Sequence, residues 1–273
     1  MESRLFIDIG GTHLRSELEH SEKIIKKSTP TKDIDLIDFI SNYLALYPDI
    51  SFIGISFAGQ VNKGVIISSP NITISNYNIK SYFESKYNLR LEIDNDLNCA
   101  VRAEAKYFNS KYISALYVGT GLGSAIIDNG KVITGVNNQS FELGHIPYKK
   151  SPFICGCGKD NCIELFASGL AIKRWLEYKN ISYQEINLKE LDNNKSEIAI
   201  IFKEALLQAV ATLITLSNSQ ILVLGGGVIE KNPYLVDWIR DNIKYEVMPS
   251  ILKDVEIVAS NLLNGAIDGA RAL

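Results

Sequence analysis

The chain has 273 residues, enough for one large domain or two modest ones. Hydrophobic residues make up 46% and charged ones 22%, so a core can form without disulfide staples. Lys plus Arg number 28 against 31 Asp plus Glu, and a net charge of −3 excludes a chain held on nucleic acid by basic excess. No run reaches about 18 consecutive apolar residues, which argues against a membrane span. The opening, MESRLFIDIGG, does not read as a signal peptide. The expected compartment is a reducing cytoplasm.

In chain order, residues 5–9 read as a strand, Gly10-Gly11-Thr12 as a turn, and 14–18 as a second strand. A third strand is expected at 24–27 and a helix over 33–46, where apolar residues recur near helical spacing. Strand 51–57 ends at Ala58-Gly59. Helix 79–87 and strand 89–93 follow. Asp94-Asn95-Asp96 then opens an Ala-rich helix over 97–108, and an Asp at that boundary fits an N-cap.

The second half repeats the opening. Strand 113–118, the turn Gly119-Thr120-Gly121 and a strand at 124–127 echo residues 5–18. Asn129-Gly130 signals a hairpin. The stretch 141–167 is irregular and rich in Gly and Cys. Helices are expected at 170–178, 197–216 and 234–243, and strands at 221–224, closed by Gly225-Gly226-Gly227, and at 255–258. A small-residue helix ends the chain at 265–273. The echo implies two similar α/β lobes, residues 1–109 and 110–273, with the last helix returning toward the first.

Five groups of residues could carry chemistry. The two glycine turns can cradle phosphate, because glycine lets backbone N–H groups approach an anion closely, or they are ordinary hairpins. Neither is a Walker loop. Asp8, beside the first turn, either bonds its own turn or holds Mg²⁺ through water. Asp94 and Asp96 flank an amide, and strand alternation puts them on one side unless the helix has begun. Either can be a proton acceptor or a helix cap.

His145, Cys155, Cys157 and Cys162 are a complete tetrahedral zinc set, and Gly156 and Gly158 allow the tight loop such close ligands need. Cys99 reads as a small core residue. His13 and His20 read as surface residues. Glu142 and Glu164 bracket the cysteines, as sugar acceptors, partners of the metal ligands or solvated charges.

Together these motifs resemble the sugar kinases of the ROK family (repressor, open reading frame, kinase), within the actin-like ATPase superfamily of hexokinases. The likeness runs nearly end to end. It is carried by DIGGT at 8–12, the loop 54–59, Pro70-Asn71, Asp94-Asn95-Asp96, the turn 119–123, Glu142-Leu143-Gly144-His145, the cysteine loop through Glu164, and the triple glycine. Ala58, Asn62 and Asn161 stand where the family usually has Pro, Asp and Gly, which bears on loop shape.

The resemblance implies an α/β fold of two ribonuclease H-like lobes with a nucleotide and sugar cleft between them. It implies that Gly10, Gly11, Thr12, Gly119, Thr120 and Gly121 hold ATP phosphates, Asp8 helps place Mg²⁺, and Gly225, Gly226 and Gly227 lie near the adenosine. Gly59, Asn95, Asp96, Glu142, His145 and Glu164 would grip the sugar, with Asp96 the catalytic base. The implied activity is ATP-dependent phosphorylation of a hexose at the 6-hydroxyl, glucose first. N-acetylmannosamine, N-acetylglucosamine, mannose or several hexoses are alternatives. A structural zinc, a homodimer or homotetramer, and no nucleic-acid or membrane partner complete the expectation. The family's other branch comprises sugar-responsive repressors, whose helix-turn-helix would precede the first strand. A non-catalytic sugar-binding protein is a further alternative.

Overall fold

The computed structural model describes residues 2–68, 72–182, 187–262 and 265–273, so Pro70-Asn71 lies outside the described residues. The chain divides into two compact units. Met1–Phe108, Thr134–Ser140 and Leu262–Leu273 form the first, and Asn109–Ile133 with Phe141–Asn261 form the second.

In the first unit β1 (Ser3–Ile9), β2 (His13–His20) and β3 (Lys23–Pro30) form an antiparallel meander. Helix α1 (Leu36–Leu46) starts where the Asp35 carboxylate accepts the Ile37 and Asp38 N–H groups, an N-cap. It carries the chain to β4 (Ile50–Phe57), which pairs parallel with β1. A small hairpin follows, β5 (Gln60–Asn62) and β6 (Val65–Ser68), then α2 (Ile79–Lys86), β7 (Arg90–Asn95) and α3 (Asp96–Tyr107). The sheet order is β3-β2-β1-β4-β7. Leu5, Ile7, Ile53 and Ile55 are wholly buried, as central strands covered on both faces must be. Edge strand β3 instead exposes Lys23, Lys26 and Lys27, charges that discourage further pairing.

The second unit repeats this plan. Its strands β8 (Ile113–Val118), β9 (Leu122–Asp128) and β10 (Lys131–Val132) are again antiparallel. The β9–β10 turn takes Asn129 and Gly130 at φ 47° and 77°, the left-handed pair a tight hairpin needs. After an irregular stretch come α4 (Gly169–Tyr178), α5 (Leu188–Asn193) and α6 (Glu197–Ser217). They are followed by β11 (Ile221–Gly225), α7 (Gly227–Lys231), α8 (Tyr234–Asn242), α9 (Pro249–Leu252) and β12 (Glu256–Ala259). The order β10-β9-β8-β11-β12 matches the first sheet, with β8, β11 and β12 parallel. Helix α6 is long and apolar enough to cross a membrane by length and composition alone. Here it is a core helix, with Ala205, Leu206, Ala209, Val210, Leu213 and Ile214 wholly buried.

The last helix, α10 (Gly265–Arg271), packs on α3, β1 and β4 of the first unit. A Cβ on Gly54 would fall on the Ala270 carbonyl, and one on Gly269 would lie 2.7 Å from Cys99 Cβ, so both glycines allow the close approach. Residues 54–57 are therefore buried strand, not the loop that the resemblance implies. Arg271 closes the contact on Glu17 and Glu19 of β2, with its guanidinium over the Phe6 ring. His20 departs from the surface reading. It is half-buried, with Nδ1 2.7 Å from Ser3 Oγ and its ring edge-on to Tyr47.

Candidate functional site

In the first unit, parallel pairing aligns Asp8, Ser56 and Asp94 in one row across β1, β4 and β7. The carboxyl ends of these strands carry Gly10-Gly11-Thr12, Gly59, and Asn95 with Asp96, at the edge where open α/β sheets bind ligands. The first turn is braced from behind. Gly10 N–H donates to the His13 carbonyl at 3.0 Å, and Thr31 donates through Oγ1 to the Gly10 carbonyl and through N–H to that of Thr12. Gly11 and Thr12 are exposed. Gly59 has no room for a side chain, since a Cβ would lie 2.5 Å from the Phe57 ring.

The two carboxylates of 94–96 have different fates. Asp94 is buried and spent on structure. Its Oδ1 accepts from the Asn95 N–H (2.8 Å), Asn98 Nδ2 (3.0 Å) and Asn138 Nδ2 (2.8 Å), and its Oδ2 from Arg102 Nη2 (2.9 Å). The N-cap of α3 is Asn95, not an aspartate. Its Oδ1 accepts the Leu97 and Asn98 N–H groups, while its Nδ2 donates to the Gly59 carbonyl at 3.1 Å. The helix has begun at Asp96, so strand alternation does not reach it. Asp96 lies half-buried in the first turn, and its Oδ1 accepts the Leu97 N–H at 3.0 Å. Burial pushes the Asp8 pKa up to about 7. The Arg15 guanidinium, 3.9 Å away, works against this and the Asp96 charge adds to it. A desolvated carboxylate with a second carboxylate charge acting on it suits a divalent cation.

In the second unit the turn at 119–121 sits on the start of α4. The Gly119 and Thr120 carbonyls accept the Gly169 and Leu170 N–H groups at 2.8 and 3.1 Å, and Ser168 Oγ caps the helix through Ala171 N–H. Gly226, at φ 87°, presses on the Val118 backbone, and a Cβ there would lie 2.7 Å from its oxygen. Gly119, Thr120 and Gly227 thereby line one cavity of about 570 Å³ with Lys173, Val228 and Lys231. The short helix α7 gave no periodic signal in the sequence.

The cysteine loop folds on β9. His145, Cys155, Cys157 and Cys162 bring their ligand atoms within 4.8 Å of one another. Sγ of Cys157 and Cys162 are 3.3 Å apart, and Cys155 Sγ is 3.5 Å from His145 Nδ1. Zn–S bonds of ≈ 2.3 Å in a tetrahedron need sulfurs only slightly further apart, so the donor set fits zinc. Burial, and then the two neighbouring sulfurs, push the Cys162 thiol up to about 12, a shift that a bound cation would oppose. Gly158 makes the tight turn at φ 88°.

Glu164 ties this loop to the glycine turn. Its Oε2 accepts the Leu122 N–H at 2.9 Å and would lie 2.5 Å from a Cβ on Gly121, while Oε1 lies 3.8 Å from Cys155 Sγ. Gly144 is equally constrained, because a Cβ would fall on the Leu122 carbonyl. Glu142, next in line, is exposed. The sequence reading passes over Asn98 and Arg102, which follow Asp94 at four-residue spacing, and Asn138, whose only local signal is the polar run NNQ at 137–139.

Comparison with known proteins places this geometry. The ROK family model matches residues 4–273. The chain belongs to the ROK family. Among curated ROK relatives, the xylose repressor of Bacillus spizizenii is 28% identical over 272 residues, 95% of this chain and 70% of its own length. The glucokinase of Thermotoga maritima is 27% identical over 295 residues, 95% of this chain and 93% of its own. Among solved structures, a ROK glucokinase from Streptomyces griseus in complex with glucose and AMPPNP superposes with a TM-score of 0.74 at 23% identity, covering 98% of each chain. The fold is that of the ROK hexokinases and glucokinases, the actin-like ATPase fold of two related sheets.

Proposed function

We propose that this ROK protein is an ATP-dependent hexose kinase that phosphorylates the 6-hydroxyl, with glucose as first substrate. The observation that carries the reading is the division of labour at 94–96. Asp94 is held in the turn by four hydrogen bonds, whereas Asp96, half-buried at the start of α3 with its charge acting on Asp8, is the carboxylate we assign to take the proton. Asp96 accepts the proton of the sugar hydroxyl as its oxygen bonds the γ-phosphorus, and the bond to the bridging oxygen of ADP breaks. General-base assistance of this kind contributes about 10²–10⁴-fold. The transition state is loose, so orientation supplies much of the remaining acceleration. Gly59, Asn95, Glu142, His145 and Glu164 hold the sugar. Gly11, Thr12, Thr120 and Gly121 donate to phosphate, while Gly10 and Gly119, whose N–H groups bond the His13 and Gly121 carbonyls, shape the two turns, and the cavity beside Gly227 takes the nucleoside. When bound, Mg²⁺ beside Asp8 would neutralise phosphate charge and zinc on the Cys/His set would stiffen the loop. On this reading the enzyme works in the cytoplasm as a homodimer or homotetramer, without nucleic-acid or membrane partners.

The likeness to xylose repressors favours one other reading, a sugar sensor without turnover. Coupled ADP release over a panel of glucose, mannose, N-acetylglucosamine, N-acetylmannosamine and xylose separates the two. Hexose-dependent turnover, highest with glucose, is expected. Tight sugar binding with no turnover would overturn the kinase.

A further inference from the structure

We propose that Asn138 is a positioning residue for Asp96, acting through Asp94; the catalytic part of this rests on the kinase reading above. Asn138 belongs to Thr134–Ser140, which leaves the second unit's sequence and packs in the first. Its side chain makes three hydrogen bonds. Nδ2 donates to the Val61 carbonyl at 2.7 Å and to Asp94 Oδ1 at 2.8 Å, and Oδ1 accepts from Asn98 Nδ2 at 3.0 Å. The amide orientation follows from its surroundings, with two acceptors facing the nitrogen and a donor facing the oxygen. Aspartate would set oxygen against the Asp94 carboxylate, and serine is too short to span three partners.

These bonds converge on the turn from β7 into α3. Asn98 and the Asn95 N–H share Asp94 Oδ1 with Asn138, while Arg102 fixes the other carboxylate oxygen. Residues 95 and 98 thus flank Asp96 and are both held by the carboxylate that Asn138 holds. Asn138 adopts φ 63°, a left-handed conformation asparagine tolerates and glycine takes freely. Asn138→Gly therefore removes the three bonds while keeping the backbone path.

Asn138→Gly should lower kcat about 10–100-fold, the cost of a misplaced reacting group, with the ATP KM within about twofold. In the Asp96→Asn background the same change should lower the residual rate less than about twofold, because a positioning residue has nothing left to position. An unchanged kcat in the first background, or equal losses in both, overturns the proposal. Amide hydrogen exchange tests the structural half without any turnover. Faster exchange of the Leu97 and Asn98 N–H groups, with β8 and β9 unaltered, supports it, and unaltered exchange at 97 and 98 overturns it. A wild-type chain that turns over no sugar defeats the kinase reading, and the exchange result then decides the role of Asn138 alone.

Discussion

The two units share one sheet plan but arm it differently. Two residues before its glycine turn the first carries Asp8, buried and reluctant to ionise; at the same offset the second carries Tyr117. The first turn is braced by Thr31 from a strand end, the second by the N-terminus of α4 and by Glu164. Past its last parallel strand the first unit presents Asn95 and Asp96 on α3. The second places its cysteine loop between β10 and α4. A repeated scaffold is thus dressed differently: both copies keep a glycine turn, but the buried Asp8 belongs to the first and the converging Cys/His set to the second.

The contrast can be broken at four places. Asp96→Asn should cut hexose phosphorylation at least about 10²-fold with sugar binding nearly intact, read by steady-state rates beside calorimetric binding. Near-normal turnover would move the chemistry elsewhere.

Asp8 makes a prediction about stability. Its folded pKa of about 7 exceeds the ordinary carboxylate value, so between about pH 4 and 7 the folded state holds a proton that the unfolded state has lost. Stability associated with this group is full below that window and lost as pH rises through it. Asp8→Asn should therefore be more stable than wild type at pH 8 by up to about 4 kcal/mol, without nucleotide or divalent cation, and equal to it near pH 4. Urea unfolding across pH checks this, and the same substitution at Tyr117 should show no such window.

In the second unit, Cys157→Ser should abolish stoichiometric zinc by metal analysis and weaken hexose affinity about 10–100-fold. Full affinity without metal would free the sugar site from the loop. The smallest effect is expected at Ser168→Ala, which removes the α4 cap behind the second glycine turn. It should cost about 1 kcal/mol by thermal melting and weaken ATP more than hexose binding.

Much of this was legible in the residues. Strands such as Ile113–Val118 announce themselves as apolar runs between turns, and the echo of strand, glycine turn and strand revealed the repeat. The cysteine spacing identified side chains that do converge. What stayed hidden depends on distant partners. Strands β5 and β6 are too short to alternate, and α7 is one turn long. An asparagine at 138 looks like any loop residue until Asp94, 44 positions earlier, is folded against it. The choice of Asn95 over an aspartate as cap is likewise tertiary, because its amide nitrogen is needed by Gly59.

The return of α10 has a consequence for synthesis. Gly54 and Gly269 are shaped for a contact that does not exist until residues 265–271 leave the ribosome. The first unit must wait, its β4 face uncovered, while residues 109–261 are made. At about 5–20 residues per second that delay is roughly eight to thirty seconds. The later-made unit can close on itself first, so the order of birth and the order of completion are reversed. A nascent chain cut short anywhere before residue 265 leaves Phe6 and Phe52 bare for chaperone or protease to find.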